Sequence, residues 1–117
     1  MKNDTINRLY NLIKKFEKEK GSITTAVLFN SYDNYYRLMF ASECLNSVGP
    51  YDATLEIVKY MKANDKDILK DLYFTITTVH TEDETIEELR EQYNEGIEYL
   101  ESTTLFYNDL SKVYIMI

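Results

Sequence analysis

One histidine, one cysteine, one proline, three glycines and no tryptophan occur in these 117 residues. Each scarcity removes a class of chemistry. His80 alone cannot build a multi-histidine metal site, and no cysteine–histidine cluster is available for zinc. Cys44 alone cannot form an intrachain disulfide, which makes a reducing, cytoplasmic location the default expectation. Gly21, Gly49 and Gly96 stand apart from one another, so there is no glycine-rich phosphate loop. No apolar run approaches the roughly 18 residues of a membrane span. The opening MKNDTINRLYNLIKKF alternates polar and apolar residues instead of carrying a signal-peptide core. No calcium loop of EF-hand form occurs, and glutamates spread along a helix do not converge on an ion. A Cys44–His80 nucleophilic pair is the one catalytic arrangement left to weigh. Cys44 lies in ASECLNSVG with no motif around it, and small buried cysteines are common. His80 closes a predicted strand in the core-facing register, where it satisfies a backbone group. The expectation is no catalytic residue, no metal and no cofactor.

What is present suits a single globular domain over residues 1–117. An apolar fraction of 44% and an aromatic fraction of 14% lie well clear of disordered composition. Eleven tyrosines are many for this length. Lysine, asparagine and isoleucine are common too, so an A+T-rich gene accounts for most of them; tyrosines at the surface remain suited to recognition.

Charge is the sharpest anomaly. Thr81 to Glu101, TEDETIEELREQYNEGIEYLE, holds nine carboxylates and one base, Arg90, in a chain whose total charge is −7. Outside it the chain is close to neutral, and residues 1–20 carry six bases against three acids. Ile86, Leu89, Tyr93, Ile97 and Leu100 recur at spacings of three and four, which predicts one amphipathic helix across the whole stretch. Thr81 and Glu84 have capping-box spacing. Such a helix carries glutamates at its carboxyl end and like-charge neighbours four residues apart, so helix stability alone does not select it. The bland alternative is a solvated face.

In chain order, Asp4 to Lys20 reads as a helix with Ile6, Leu9, Ile13 and Phe16 inward. Ser22 to Asn30 alternates as a strand covered on both sides, and Tyr35 to Ala41 returns as a second strand, with a helix over 35–47 as the alternative. Gly49-Pro50 opens a helix over Tyr51 to Ala63, with Leu55, Val58 and Met61 or Lys62 facing inward. Leu69 to His80 alternates as a strand, the acidic helix follows, and Thr103–Tyr107 and Lys112–Ile117 read as strands around a turn at 108–111. The order is α-β-β-α-β-α-β-β, an α+β fold with helices packed on a mixed or antiparallel sheet.

A one-sided acidic surface fits a basic groove on another protein, above all a nucleic-acid channel, and repels nucleic acid and anionic membrane. The leading expectation is a non-enzymatic inhibitor of a nucleic-acid-handling enzyme. Immunity proteins, antitoxins and phage anti-defence proteins such as anti-CRISPRs share this size and acidity, an analogy of class only. The predicted contact set is Glu84, Glu87, Glu88, Glu91, Glu95 and Glu98, with Tyr99 as aromatic companion. A second expectation is a homo-oligomeric scaffold, such as a homodimer, assembled through the apolar terminal strand: Val113, Tyr114, Ile115, Met116 and Ile117.

Overall fold

The computed structural model describes residues 3–32, 35–71, 74–105 and 107–117. Helix α1 (Asn3–Lys20) forms on the predicted stripe: Ile6, Leu9, Leu12, Ile13 and Phe16 are all buried. It ends where Gly21, at a φ of +65°, donates its N–H to the Glu17 carbonyl at 2.8 Å. Strand β1 (Thr24–Asn30) then runs through the centre of the molecule with every residue buried, and β2 (Tyr36–Ser42) pairs with it antiparallel. The hairpin, not the helix, is therefore the fate of residues 36–42, and a single 3₁₀ turn (Glu43–Leu45) follows.

Pro50 opens α2 (Pro50–Asn64) as its spacing suggests. Its buried face is Ala53, Ile57 and Met61, whereas Leu55 is exposed, so the inward stripe is rotated from the one expected. Residues 68–71 form a helical turn, α3 (Ile68–Asp71), instead of the start of a strand; β3 is shorter, Phe74–Thr78, and runs parallel to β2. Leu72 and Tyr73, also placed in that strand, lie outside the described residues.

The largest departure concerns the acidic stretch. Helix α4 spans Glu84–Gln92 only; Asp83, not Thr81, caps it, accepting from the Thr85 N–H at 3.0 Å. Gly96 has a φ of +133°, a conformation L side chains rarely adopt, and from Ile97 the chain is strand. Strand β4 (Ile97–Leu105) and strand β5 (Asn108–Met116) make a long hairpin in which Leu105 pairs with Asn108. Residues 108–111, expected as the turn, therefore belong to β5. Phe106 is outside the described residues.

The five strands form one mixed sheet in the order β3-β2-β1-β5-β4. This is the expected α+β domain, with its helices on a sheet and the expected element order apart from the two short turns. One face buries Ala26, Leu28, Leu38, Phe40 and Met116 under α1, α2 and α3. Phe16 packs edge-on against both Phe40 and Tyr60, with ring centroids 5.2 and 5.1 Å apart. The opposite face buries Val27, Phe29, Val113 and Ile115 with Leu89 of α4.

Strand β5 lies inside the sheet, hydrogen-bonded to β1 on one side and β4 on the other. Val113, Ile115, Met116 and Ile117 are buried and Tyr114 is half-buried. The apolar run on both faces is thus accounted for within the chain. In this fold β5 has no edge to offer another subunit, which corrects the expectation of assembly through residues 113–117.

Among the described residues no helix is long and apolar enough to cross a membrane.

Candidate protein-binding surface

Helix α4 turns Ile86 and Leu89 to the core and four carboxylates away from it. Glu84, Glu87, Glu88 and Glu91 fall within an arc of roughly 100° on the opposite side, given 3.6 residues per turn, and all four are exposed. No lysine or arginine among the described residues pairs with any of them. The one local base is directed elsewhere: Arg90 Nη1 donates to the Thr25 hydroxyl at 2.8 Å and to the Thr24 carbonyl at 3.3 Å, pinning α4 to β1. A second tether, from Asn46 to the Thr81 backbone and hydroxyl at 3.1 and 2.7 Å, fixes the loop that leads into α4. The acidic ridge is thus held in place while its own charges stay uncompensated.

The remaining predicted contact residues do not continue that ridge as one helix. Glu95 lies in the turn after α4 and pairs with Lys14 of α1 at 2.8 Å, which holds the Glu95 carboxyl below its ordinary pKa. Burial disfavours the charged Lys14, but its bonds to Glu95 and Glu17 prevail and raise its pKa. Glu98 is on β4, opposite Ile115, and therefore on the sheet face that α4 covers. Tyr99 is opposite Tyr114 and faces the other side, toward α1. Its ring contacts Tyr114 at 4.7 Å, and its hydroxyl donates to Glu101 at 2.8 Å. That bond, with partial burial, pushes the Tyr99 hydroxyl up to about 12. Five predicted carboxylates, Glu84, Glu87, Glu88, Glu91 and Glu98, share one side of the molecule; Glu95 is paired, and Tyr99 belongs to the opposite side.

The shortened helix also changes the energetics. Glu98 and Glu101 no longer oppose a helix dipole, and Glu84 and Glu87 favour the amino end where they sit. What remains unfavourable is Glu91 in the last turn and the like-charge pairs Glu84–Glu88 and Glu87–Glu91, each costing roughly 0.2–0.5 kcal/mol.

Two features were not legible in the sequence. A groove of about 300 Å³ runs between the start of α4 and the β4–β5 hairpin, lined by Glu84, Thr85, Glu88, Thr104, Leu105 and Tyr107. Tyr107 is 95% exposed with a φ of +62°, an unfavourable state for a residue with a Cβ. A larger cleft of about 490 Å³ opens between α1, the 3₁₀ turn and α2, with Phe16, Leu45 and Tyr60 in its wall beside Lys20, Asp52 and Cys44. It is assembled from segments far apart in the chain, and no local spacing announces it. Contrary to expectation Cys44 is exposed; its Sγ lies 3.4 Å from the Ser42 hydroxyl. His80 is also exposed, and its Nδ1 accepts from the Glu82 N–H at 3.1 Å, so it does serve a backbone group. No hydrogen bond joins the two among the described residues. Charges of both signs, Lys20 and Lys59 with Asp52 and Glu56, line the larger cleft, and none of the ridge carboxylates does.

No family model, curated protein or solved structure matches the chain.

Proposed function

We propose that this protein is a non-enzymatic inhibitor that covers a basic, nucleic-acid-binding surface of another protein with its acidic ridge. The observation that carries the reading is the uncompensated row Glu84, Glu87, Glu88 and Glu91 on a helix whose only arginine is turned to β1. Carboxylates spaced along a rigid ridge can stand where phosphates stand and can steer encounter over distances set by salt. Glu98 adds an exposed carboxylate on the same face of the sheet, and Tyr107 supplies an exposed ring beside Glu84 and Glu88. Tyrosines of this kind provide contact area at small entropic cost.

The test starts from capture of partners from lysate at low salt. Under this reading a basic protein is retained and then released as salt shortens the Debye length from about 10 Å at 0.1 M to about 3 Å at 1 M. The partner's nucleic-acid binding must then compete with this chain. The triple variant Glu87→Lys, Glu88→Lys, Glu91→Lys must fold and fail to bind. Glu95 is left unchanged because it holds Lys14. A variant that binds as well as the parent, or a partner that accepts nucleic acid and this chain together, removes the ridge from the mechanism.

A further inference from the structure

Strand β4 is an outer strand of the sheet, and no other element runs along its far side among the described residues. Which of its backbone groups are open follows from the ladder. Gly96 and Ile117 exchange both hydrogen bonds, N–H to carbonyl at 2.9 and 3.0 Å, so they are a hydrogen-bonded pair. Antiparallel pairs alternate between bonded and non-bonded. Glu98 and Leu100 therefore point their N–H and C=O groups toward β5, whereas Ile97, Tyr99 and Glu101 point theirs outward. No side chain among the described residues caps those outward groups. The other outer strand, β3, is shorter and carries threonines instead of charge along its exposed positions.

The side chains along β4 select the occupant. Glu98 projects on the α4 side and Glu101 on the α1 side, so both flanks of the open edge are acidic. Glu101 stands opposite Lys112 in the ladder without forming an ion pair with it. Acidic side chains on an outer strand discourage pairing with a copy, because Glu98 and Glu101 of both chains would gather at one seam. The same charges favour a strand that brings lysine or arginine to each flank. Tyr99 adds an exposed aromatic ring next to which the stem of such a side chain can lie.

We infer that the outer edge of β4 receives an extended, basic segment of the partner protein as a sixth strand, bonded to the backbone of Ile97, Tyr99 and Glu101 and flanked by Glu98 and Glu101. This rests on the reading of the chain as an acidic inhibitor, and gives that reading a specific point of attachment.

Amide hydrogen exchange of the intact protein, resolved by residue, tests it. The probe is a capped seven-residue peptide alternating lysine and valine at low salt, with a glutamate–valine peptide as control. Saturating basic peptide should slow exchange of the Ile97, Tyr99 and Glu101 amides by about tenfold or more, while Glu98 and Leu100, already bonded to β5, change little. The acidic peptide should have no effect. Tyr99→Pro, which deletes one outward N–H at a position where an outer strand tolerates proline, should abolish this protection, and Tyr99→Ala should preserve it. If Tyr99→Pro does not fold, the exchange pattern of the parent decides alone. Unchanged exchange at the three amides, or equal protection by both peptides, overturns the inference. So does protection that rises with protein concentration in the absence of peptide, which assigns the edge to a second copy. Failure here with partner binding still lost in the α4 triple variant refutes the sixth strand and leaves the acidic ridge standing.

Discussion

Arg8 ties three parts of the chain together from a single side chain. It makes a two-point contact with Asp65, Nε to Oδ2 at 3.1 Å and Nη2 to Oδ1 at 2.8 Å, and a third bond to Asp71 at 2.6 Å. The fork of the guanidinium matches a carboxylate in a way lysine cannot. Its hydrogen bonds hold the Asp65 carboxyl below the ordinary value of 3.8, outweighing partial burial. A carboxyl that binds its proton less readily folded than unfolded contributes stability above its unfolded pKa, and loses it as pH falls through the lower folded value. Replacing Arg8 by glutamine should therefore lower the urea midpoint at pH 7, and the gap between parent and variant should be constant down to about pH 4 and shrink below it. Urea titrations at pH 7, 5, 4 and 3 measure this. A gap that widens toward pH 3 would show that Arg8 acts through something other than these carboxylates.

At the level of elements, the junction between α4 and β4 deserves the closest test. Gly96 has open space where a Cβ would go, so substitution there meets no clash and only the +133° φ opposes it. Gly96→Ala should cost about 1–3 kcal/mol, the usual cost of a forced backbone state, measured as a shift in chemical denaturation at constant slope. Were Gly96 inside a helix, the same substitution would stabilise by roughly 1 kcal/mol, so the sign separates the two conformations. This is also where the sequence was most deceptive. Ile97 and Leu100 continue the three-and-four spacing of Ile86, Leu89 and Tyr93, and nothing local contradicts a helix except Asn94 and Gly96. The deciding interaction is distant: β5, both faces apolar, needs a neighbour on each side, and residues 97–105 supply one. By contrast α1, β1 and β2 were legible because their patterns are local and agree with their neighbours. Four of the ridge residues could be read from sequence since they do lie on one helix. The separation of Tyr99 from them could not, because it depends on which face of a sheet each residue takes.

On the scale of the whole molecule, charge is both unbalanced and unevenly neutralised. The chain carries −7, the ion pairs among the described residues each have their base on α1, and the ridge carboxylates are left to repel one another. Screening should then help more than it harms: raising salt from 0.01 to 0.15 M shortens the Debye length from about 30 Å to about 8 Å, and the thermal midpoint should rise across that range. The Glu87→Lys, Glu88→Lys, Glu91→Lys variant should start higher at low salt and respond less. A midpoint that falls with salt would mean that the α1 ion pairs outweigh the repulsion.

The position of β5 has one more consequence, for the order in which the molecule is made. Ala26 pairs with Met116 and Asn30 with Lys112, so the central strand of the sheet waits for a segment synthesised long after it. Until residues 108–116 exist, β1 has a bare edge and β4 has no partner, while the seven residues of β1 are all of a kind that the finished fold buries. Distant pairings of this sort fold slowly and leave sticky strands waiting. The growing chain therefore carries an unfinished half-sheet until residues 108–116 are made, and a chain cut before residue 108 is an aggregation-prone polypeptide rather than a smaller version of this domain.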